Sequence, residues 1–174
     1  MLKLLIVDDE EMICQAIANI IDWKSYNIQL VGTCTDGVEA YHTILDECPD
    51  IVITDIRMPF MDGLELSELV KKEFPRIKII ILSGYNEFDY AKQAIHIGVT
   101  DYLLKPITAA KLLEAVKKVA DVIEKEREDA RLMDKYRLEM AENTVLERQR
   151  LLRDLVTGRV NFKEALARGE QVGM

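Results

Sequence analysis

Five short runs of strand length, each rich in apolar residues, divide the first 104 residues of the chain. They lie at residues 2–7, 28–33, 51–54, 77–82 and 100–104. Apolar runs that end in polar residues are typical of strands buried on both faces of a parallel sheet. We therefore expect five parallel strands.

The segments between these runs have the spacing of amphipathic helices. Apolar residues recur at intervals of about three and four, at Ile13, Ile17, Ile20 and Ile21, at Val38, Tyr41, Ile44 and Leu45, and at Leu64, Leu66, Leu69 and Val70. A further helix is expected at residues 88–97. Strands that alternate with helices predict an α/β fold, (βα)5, with a doubly wound parallel five-stranded sheet.

The chain changes character after Thr108. From Ala109 to about Val156 it contains neither proline nor glycine, and Ala, Leu, Glu, Lys and Arg dominate. This composition predicts one long C-terminal helix that ends near Thr157 and Gly158, followed by a short segment of mixed character. The first four turns carry a seam suited to packing on the helix's own domain, at Leu112, Val116, Val119 and Ile123.

The later part of this helix has a less regular seam. Ala130, Met133 and Met140 continue the first seam only if Glu126 and Arg137 also lie on it. A shifted seam collects other apolar residues, namely Leu138, Val145, Leu152 and Leu155. A helix of this length would extend about 70 Å, past any surface that its own domain offers. We therefore expect a partner helix, most simply that of a second copy.

Composition and charge narrow the functional classes. The chain has 174 residues, 49% of them hydrophobic, and a formal net charge of −8. These values suit one globular domain with an appendage. Neither part carries the cluster of Lys and Arg that a nucleic-acid surface needs, so we expect no DNA binding by these residues themselves.

No apolar run approaches the length of a membrane span, and the apolar residues near the N-terminus stop at four consecutive acids. We therefore expect a cytoplasmic protein without a membrane segment. The three cysteines, Cys14, Cys34 and Cys48, form no CxxC pair and are expected to be packing or surface residues. His42 and His96 have no second ligand at a metal-binding spacing, so we expect the same of them.

Three carboxylates follow strands that should be neighbours in the sheet. Asp8 and Asp9 come directly after the first predicted strand, and Asp55 comes directly after the third. Three like charges at one edge need a cation, and oxygen-only ligands are what Mg²⁺ takes up. Capping of the next helix would explain Asp8 or Asp9 alone, but it does not explain all three acids.

Two more polar residues end strands at the same edge. Ser83 follows the fourth strand, and Lys105 follows the fifth, directly before Pro106. A lysine at this position is a cation that can pair with a carboxylate or a phosphoryl oxygen. A neighbouring hydroxyl can donate a hydrogen bond to the same oxygen. Two acids after the first strand, one after the third, a serine after the fourth and Lys-Pro after the fifth form a combination that rarely arises by chance.

These residues and the segments around them resemble the receiver domain of two-component response regulators. The motifs are LLIVDDE at residues 4–10, DIVITDIRMPFMDGLEL at 50–66, IIILSGYNEFDYAKQAI at 79–95 and GVTDYLLKPI at 98–107. The resemblance covers residues 1–124. It implies a flavodoxin-like, CheY-like fold with strand order 2-1-3-4-5.

The resemblance also implies a role for each site residue. Asp55 would accept a phosphoryl group from a phosphohistidine of a sensor histidine kinase. Mg²⁺ would be held by Asp8, Asp9, Asp55 and the backbone carbonyl of Arg57. Ser83 and Lys105 would bind the phosphoryl oxygens, and Ser83 and Tyr102 would form the switch. Tyr102 is expected to turn inward on phosphorylation. Such a protein catalyses only its own phosphorylation and dephosphorylation, and is otherwise a signalling switch rather than an enzyme.

Within the family, IDW at residues 21–23 and LLRDLVTGR at 151–159 resemble a subgroup in which a helical linker joins the receiver to an AraC-type helix-turn-helix domain. The organisation expected is a receiver at residues 1–124, a helical linker and coiled coil at 125–156, and at 157–174 the start of a segment leading to a DNA-binding domain. Two helix-turn-helix units need roughly 100 residues, so we expect the sequence to stop before that domain. DNA binding would then belong to that domain alone.

Other functions remain open from the residues alone. A Mg²⁺-dependent phosphatase with an aspartyl nucleophile also needs strand-end acids and a lysine, but its usual DxD is replaced here by adjacent Asp8 and Asp9. A scaffold that had lost the chemistry would have a broken carboxylate set. A stand-alone receiver without DNA output is a third alternative.

The partners expected are a sensor histidine kinase and a second copy of the chain. Pairing would run through the C-terminal helix, and the face formed by the fourth helix, fifth strand and fifth helix is a second candidate surface. Glu126 and Arg137 on the seam predict weak pairing that phosphorylation tightens.

Overall fold

A parallel sheet of five strands forms the centre of the fold. The computed structural model describes residues 1–84 and 88–171. The strands are β1 (Leu2–Val7), β2 (Ile28–Cys34), β3 (Ile51–Asp55), β4 (Lys78–Ser83) and β5 (Asp101–Leu104). Their order in the sheet is β2-β1-β3-β4-β5, and every pair of neighbours is parallel. The predicted fold class and strand order are confirmed.

Six α-helices are described, together with a 3₁₀ turn at Trp23–Tyr26. They are α1 (Glu11–Ile20), α2 (Gly37–Glu47), α3 (Gly63–Glu73), α4 (Phe88–Ile97), α5 (Ala109–Val156) and α6 (Phe162–Gln171). None of the described helices is both long and apolar enough to cross a lipid bilayer. The long C-terminal helix is confirmed at the predicted bounds, because no helix-breaking residue interrupts it.

Two apolar clusters lie on opposite faces of the sheet. Leu4, Ile6 and Ile53 pack with residues of α1 and α5. Leu5 and Val7 point the other way and pack with residues of α2, α3 and α4. Successive residues of a strand alternate between faces, so strands buried on both faces must be apolar throughout. This explains why consecutive apolar residues dominate these runs in the sequence.

The predicted core faces of α1 and α2 are partly wrong. Ile20, Val38 and Leu45 are exposed, at 59%, 40% and 44% of their surface. In α2 the small residue Ala40 is buried instead, beside Ile44. The start of α2 lies so close to the loop before α3 that a Cβ on its first residue, Gly37, would meet a backbone oxygen at 2.4 Å. This contact fixes which side of α2 faces the sheet.

The first turns of α5 pack as the sequence predicts. Leu112, Val116, Val119 and Ile123 are all buried in the cluster shared with α1. The chain forms two compact units, Met1–Ile123 and Glu124–Met174.

The helix α6 in the second unit was not predicted. The helix α5 ends with the N–H of Gly158 donating to Leu155 and that of Arg159 donating to Asp154, and Gly158 has a φ of 71°. This is a Schellman ending. The side chain of Asn161 then accepts a hydrogen bond from the N–H of Glu164 and begins α6. Three residues form the small buried core of the unit, Leu151, Val160 and Ala165.

Candidate functional site

Three acidic side chains meet at the carboxyl edge of the sheet. Asp8 and Asp9 follow β1, Asp55 is the last residue of β3, and these two strands are neighbours. One carboxylate oxygen from each of the three residues lies within 4.8 Å of the others. The topology therefore brings Asp55 to two adjacent acids that lie 46 and 47 residues before it in the chain.

The local backbone directs Asp8 into this cluster. Its N–H donates to the carbonyl of Cys34 at 3.1 Å, which extends the pairing of β1 with β2. Its carboxylate accepts a hydrogen bond from the N–H of Glu10 at 3.0 Å. Because α1 begins after Glu10 without any side-chain capping bond, helix capping does not account for the position of Asp8.

Lys105 supplies the positive charge of the site. Its Nζ lies 2.7 Å from Oδ2 of Asp8 and 3.7 Å from Oδ2 of Asp55. Its N–H donates to the carbonyl of Ser83 at 2.7 Å, and the peptide bond to Pro106 is cis. The backbone of Lys105 is thus hydrogen-bonded to the end of β4, and its side chain reaches the acids that follow β1 and end β3.

The charges in the site oppose one another. Burial raises the pKa of Asp55, and the acids Asp8 and Asp9 raise it further, while Lys105 and the N–H of Ile56 lower it in part. Burial alone would lower the pKa of Lys105, but its hydrogen bond to Asp8 and the charge of Asp55 raise it above the ordinary value. Lys105 therefore stays positively charged beside acids that outnumber it.

Two residues that support Asp55 were missed by sequence reasoning. The hydroxyl of Thr54, fully buried, donates to the backbone carbonyl of Asp55 at 2.9 Å. Gly63 begins α3 against the same carbonyl, and a Cβ there would lie 1.9 Å from that oxygen. Close approach of the two backbone segments is what requires a glycine at this position. A threonine at the end of an apolar run was the available signal for Thr54.

Ser83 and Tyr102 lie on the adjacent strands β4 and β5. Ser83 is fully buried at the end of β4. Tyr102 packs against the cluster that includes α3 and α4, and its hydroxyl is buried with no hydrogen-bond partner among the described residues. We expected this ring to turn inward on phosphorylation. In this structure the hydroxyl is already buried, and the movement of the ring on phosphorylation stays a prediction.

The side chains of the other described candidates, Arg57, His42 and His96, do not belong to the acidic cluster. The guanidinium of Arg57 lies 6.0 Å from the ring of Tyr90 on α4, which joins the loop after Asp55 to that helix. Tyr85, two positions after Ser83 in the sequence, lies outside the described residues. His42 and His96 are exposed on α2 and α4.

The donor set at this edge suits a hard divalent cation. It consists of carboxylate oxygens, with Asp8 buried and the Asp55 side chain only 13% exposed. One ammonium leaves two negative charges uncompensated if all three acids are ionised. Carboxylate-only sites with this excess of negative charge favour Mg²⁺ over the softer transition metals.

Comparisons of the sequence and of the structure with known proteins all point to response regulators. Residues 4–117 match the family described as the response regulator receiver domain. The transcriptional regulatory protein YesN of Bacillus subtilis is 43% identical over 129 residues, which make up 74% of this chain and 34% of YesN. The REC domain of AraT, a response regulator from Geobacillus stearothermophilus, is 40% identical with a TM-score of 0.69. That alignment covers 72% of this chain and 98% of the AraT domain.

A second similar structure is the complex of CheX and CheY with BeF₃ and Mg²⁺ from Borrelia burgdorferi. It is 28% identical, with a TM-score of 0.63, and the alignment covers 68% of this chain and 88% of that chain. The present chain spans about a third of the length of YesN.

Proposed function

This chain belongs to the receiver domain family of response regulators, and on that premise we propose that Asp55 is the residue that accepts the phosphoryl group. The observation that carries the proposal is the position of Asp55 at the end of β3. A carboxylate oxygen of Asp55 lies within 4.8 Å of those of Asp8 and Asp9, and Nζ of Lys105 lies 3.7 Å from Oδ2 of Asp55. An acceptor needs both a metal site and a cation beside it, and these neighbours supply both.

The proposed reaction is an in-line transfer of a phosphoryl group. A carboxylate oxygen of Asp55 attacks phosphorus, the phosphorus–nitrogen bond of a donor phosphohistidine breaks, and the imidazole leaves with the bonding electrons and takes up a proton. The product is an acyl phosphate on Asp55. Positioning and charge neutralisation contribute most of the catalysis in such transfers. Hydrolysis of the acyl phosphate by water resets the switch.

The other site residues have separate roles in this proposal. When bound, Mg²⁺ would neutralise charge between acceptor and phosphoryl group, held by Asp8, Asp9, Asp55 and the backbone carbonyl of Arg57. Lys105 would pair with one phosphoryl oxygen. The hydroxyl of Ser83 would donate to another and, through Tyr102 on β5, pass the change to the surface of the domain.

We also propose the organisation of the protein around this site. Residues 1–124 form the phosphoacceptor domain, 125–156 the helical linker, and 157–174 begin the segment leading to the output domain. The similarity to the transcriptional regulatory protein YesN supports a switch that controls transcription. In this proposal the switch is cytoplasmic and acts through a DNA-binding output domain. The partners are a sensor histidine kinase and a second copy paired through α5, with the face of α4, β5 and α5 as a second candidate surface.

A phosphatase would use the same residues differently. It would release phosphate from many substrate molecules, whereas a switch takes up one phosphoryl group per chain. Adjacent acids after β1, rather than acids separated by one residue, favour the switch. Rapid turnover of a chromogenic phosphate ester would favour the phosphatase.

The mass of the intact chain after incubation with acetyl phosphate and Mg²⁺ tests the proposal. We expect an added mass of one phosphoryl group that hydroxylamine removes, and none in Asp55→Asn. The variant Asp46→Asn, which changes an exposed acid on α2, should label as the parent does. Labelling that persists in Asp55→Asn, or full labelling in excess EDTA, contradicts the assignment of the acceptor or of the metal site.

A further inference from the structure

An apolar surface is exposed on the helices of the unit Glu124–Met174. Three apolar residues of α5 follow one another at seven-residue intervals and are exposed. They are Leu138, Val145 and Leu152, with 67%, 51% and 49% of their surface exposed. Seven residues are close to two helical turns, so these side chains lie in one row along α5. Val156 continues the row and is 86% exposed.

The unpredicted helix α6 widens this row. Phe162 and Leu166 of α6 are 70% and 54% exposed. Together with Leu152 they line one cavity of about 260 Å³ between the end of α5 and α6. We call the six exposed residues the hairpin face, namely Leu138, Val145, Leu152, Val156, Phe162 and Leu166.

We propose that the hairpin face binds the hairpin face of a second copy, with the two α5 helices parallel. This names the surface and the orientation for the pairing proposed above, and it does not depend on phosphorylation of Asp55. In a parallel two-fold pair each residue of a seven-residue repeat lies beside its own equivalent. Leu138, Val145 and Leu152 would therefore pair with themselves, and Phe162 and Leu166 would close the contact at the end of α5.

The size of the hairpin face suits this occupant. Typical apolar side-chain areas, scaled by the exposed fractions, give roughly 600 Å² of apolar surface per copy. A stable interface buries about 800 Å² of surface per partner. The apolar residues of the hairpin face alone would therefore supply most of the buried area that such an interface needs. Soluble monomers rarely leave a contiguous apolar patch of this size in water.

The charges beside the row favour the parallel orientation. Arg137 and Glu142 flank the row on opposite sides, five residues apart, and both are exposed. In a parallel pair of helices, positions with this spacing face each other across the seam. Arg137 of one copy would then lie opposite Glu142 of the partner subunit, and the reverse pair would form by symmetry.

Sedimentation of residues 1–174 tests the contact. The weight-average mass should rise towards twice the 19.9 kDa of one chain as concentration increases. Leu152→Glu and Val145→Glu should each weaken association at least tenfold. Val145 lies away from α6, so its variant separates lost pairing from a disturbed hairpin. Leu132→Glu is the matched control, because Leu132 is 52% exposed on another side of α5 and should leave association unchanged.

Disulfide cross-linking tests the orientation. In a Cys48→Ser background, Leu138→Cys and Leu152→Cys should each give a cross-linked dimer when oxidised glutathione is the oxidant. An antiparallel pair allows a residue to meet its equivalent at one level only, so cross-linking at just one of the two sites overturns the parallel arrangement. A chain that stays monomeric at high concentration overturns the proposal. So does a loss of association in Leu132→Glu that equals the loss in Val145→Glu and Leu152→Glu. Binding of a different partner to the hairpin face in place of a second copy overturns it as well.

Discussion

Nζ of Lys105 lies 1 Å closer to the carboxylate of Asp8 than to that of Asp55, at 2.7 Å against 3.7 Å. The side chain of Asp8 is 2% exposed and that of Lys105 is 20% exposed. A carboxylate buried to this degree depends on its cationic partner. In the unphosphorylated protein Lys105 therefore stabilises Asp8 first, and its contact with Asp55 is the looser one that a phosphoryl oxygen can replace.

Replacing Lys105 by methionine should destabilise the first unit by about 3 kcal/mol, because the buried charge of Asp8 loses its partner. The fluorescence of Trp23, the single tryptophan and a buried core residue, follows the unfolding. Added Mg²⁺ should restore much of the loss. Lys118→Met, which removes an exposed ammonium 3.7 Å from Glu114, should have little effect. Equal losses in the two variants would show that Asp8 does not need Lys105.

Asp55→Asn should raise the unfolding temperature in EDTA. Burial and the neighbouring acids raise the pKa of Asp55 in the folded state. A raised pKa means that the contribution of this carboxyl to stability is present at acid pH and lost as the pH rises through the folded pKa. Asparagine carries no charge, so it removes the free-energy cost of a buried, ionised carboxyl beside two other acids at neutral pH. The gain, about 2–4 °C for each kcal/mol, should shrink as the pH falls and should be absent in Asp46→Asn.

The strands and α5 could be predicted because their signals are local. Residues of β1 such as Leu4 and Leu5 point to opposite faces, and both are fully buried, so the stretch from Leu4 to Val7 had to be apolar at every position. The helix α5 needed only the absence of proline and glycine up to Gly158. The three acids of the site followed from their positions at strand ends, once neighbouring parallel strands were assumed.

What was missed depends on tertiary contacts. The faces of α1 and α2 were partly wrong because apolar spacing does not tell an exposed Val38 from a buried Ala40. The requirement for glycine at Gly63 arises from the backbone of Asp55, which the sequence does not place beside it. The helix α6 had a readable signal, Asn161 followed three residues later by Glu164, but too few apolar residues to stand out.

Gly63→Ala should destabilise the first unit by about 3 kcal/mol, because the new Cβ would lie 1.9 Å from the carbonyl oxygen of Asp55 and the backbone must move. The displaced acceptor should also label more slowly with acetyl phosphate. Gly32→Ala is the control of opposite sign. Its Cβ would meet nothing nearer than 3.6 Å, so the lower entropy of the unfolded chain should make it neutral or slightly stabilising. Similar losses in both variants would contradict the contact at Gly63.

The three cysteines should differ sharply in their reactivity. Cys48 is exposed, whereas Cys14 and Cys34 are buried. Burial, then the charge of Asp8, raises the pKa of Cys14 to about 11, and burial raises that of Cys34. At pH 8 roughly one Cys14 in a thousand would be a thiolate. The native chain should therefore take up one equivalent of a thiol reagent quickly, three after denaturation, and none quickly in Cys48→Ser. Fast native labelling of two or more sites would show that the core opens.

The coupling between Ser83 and Tyr102 can be separated into two steps by amide exchange. Ser83→Ala removes the proposed donor to the phosphoryl oxygen, so acetyl phosphate should label this variant while the change in exchange over residues 101–106 is lost. Tyr102→Phe keeps the ring but removes a buried hydroxyl that has no partner among the described residues. That variant should be as stable as the parent or about 1 kcal/mol more stable, and it should keep the exchange response if packing of the ring carries the signal. If Ser83→Ala labels normally and shows the parent's exchange response, the two residues are not coupled and the signal leaves Asp55 by another route.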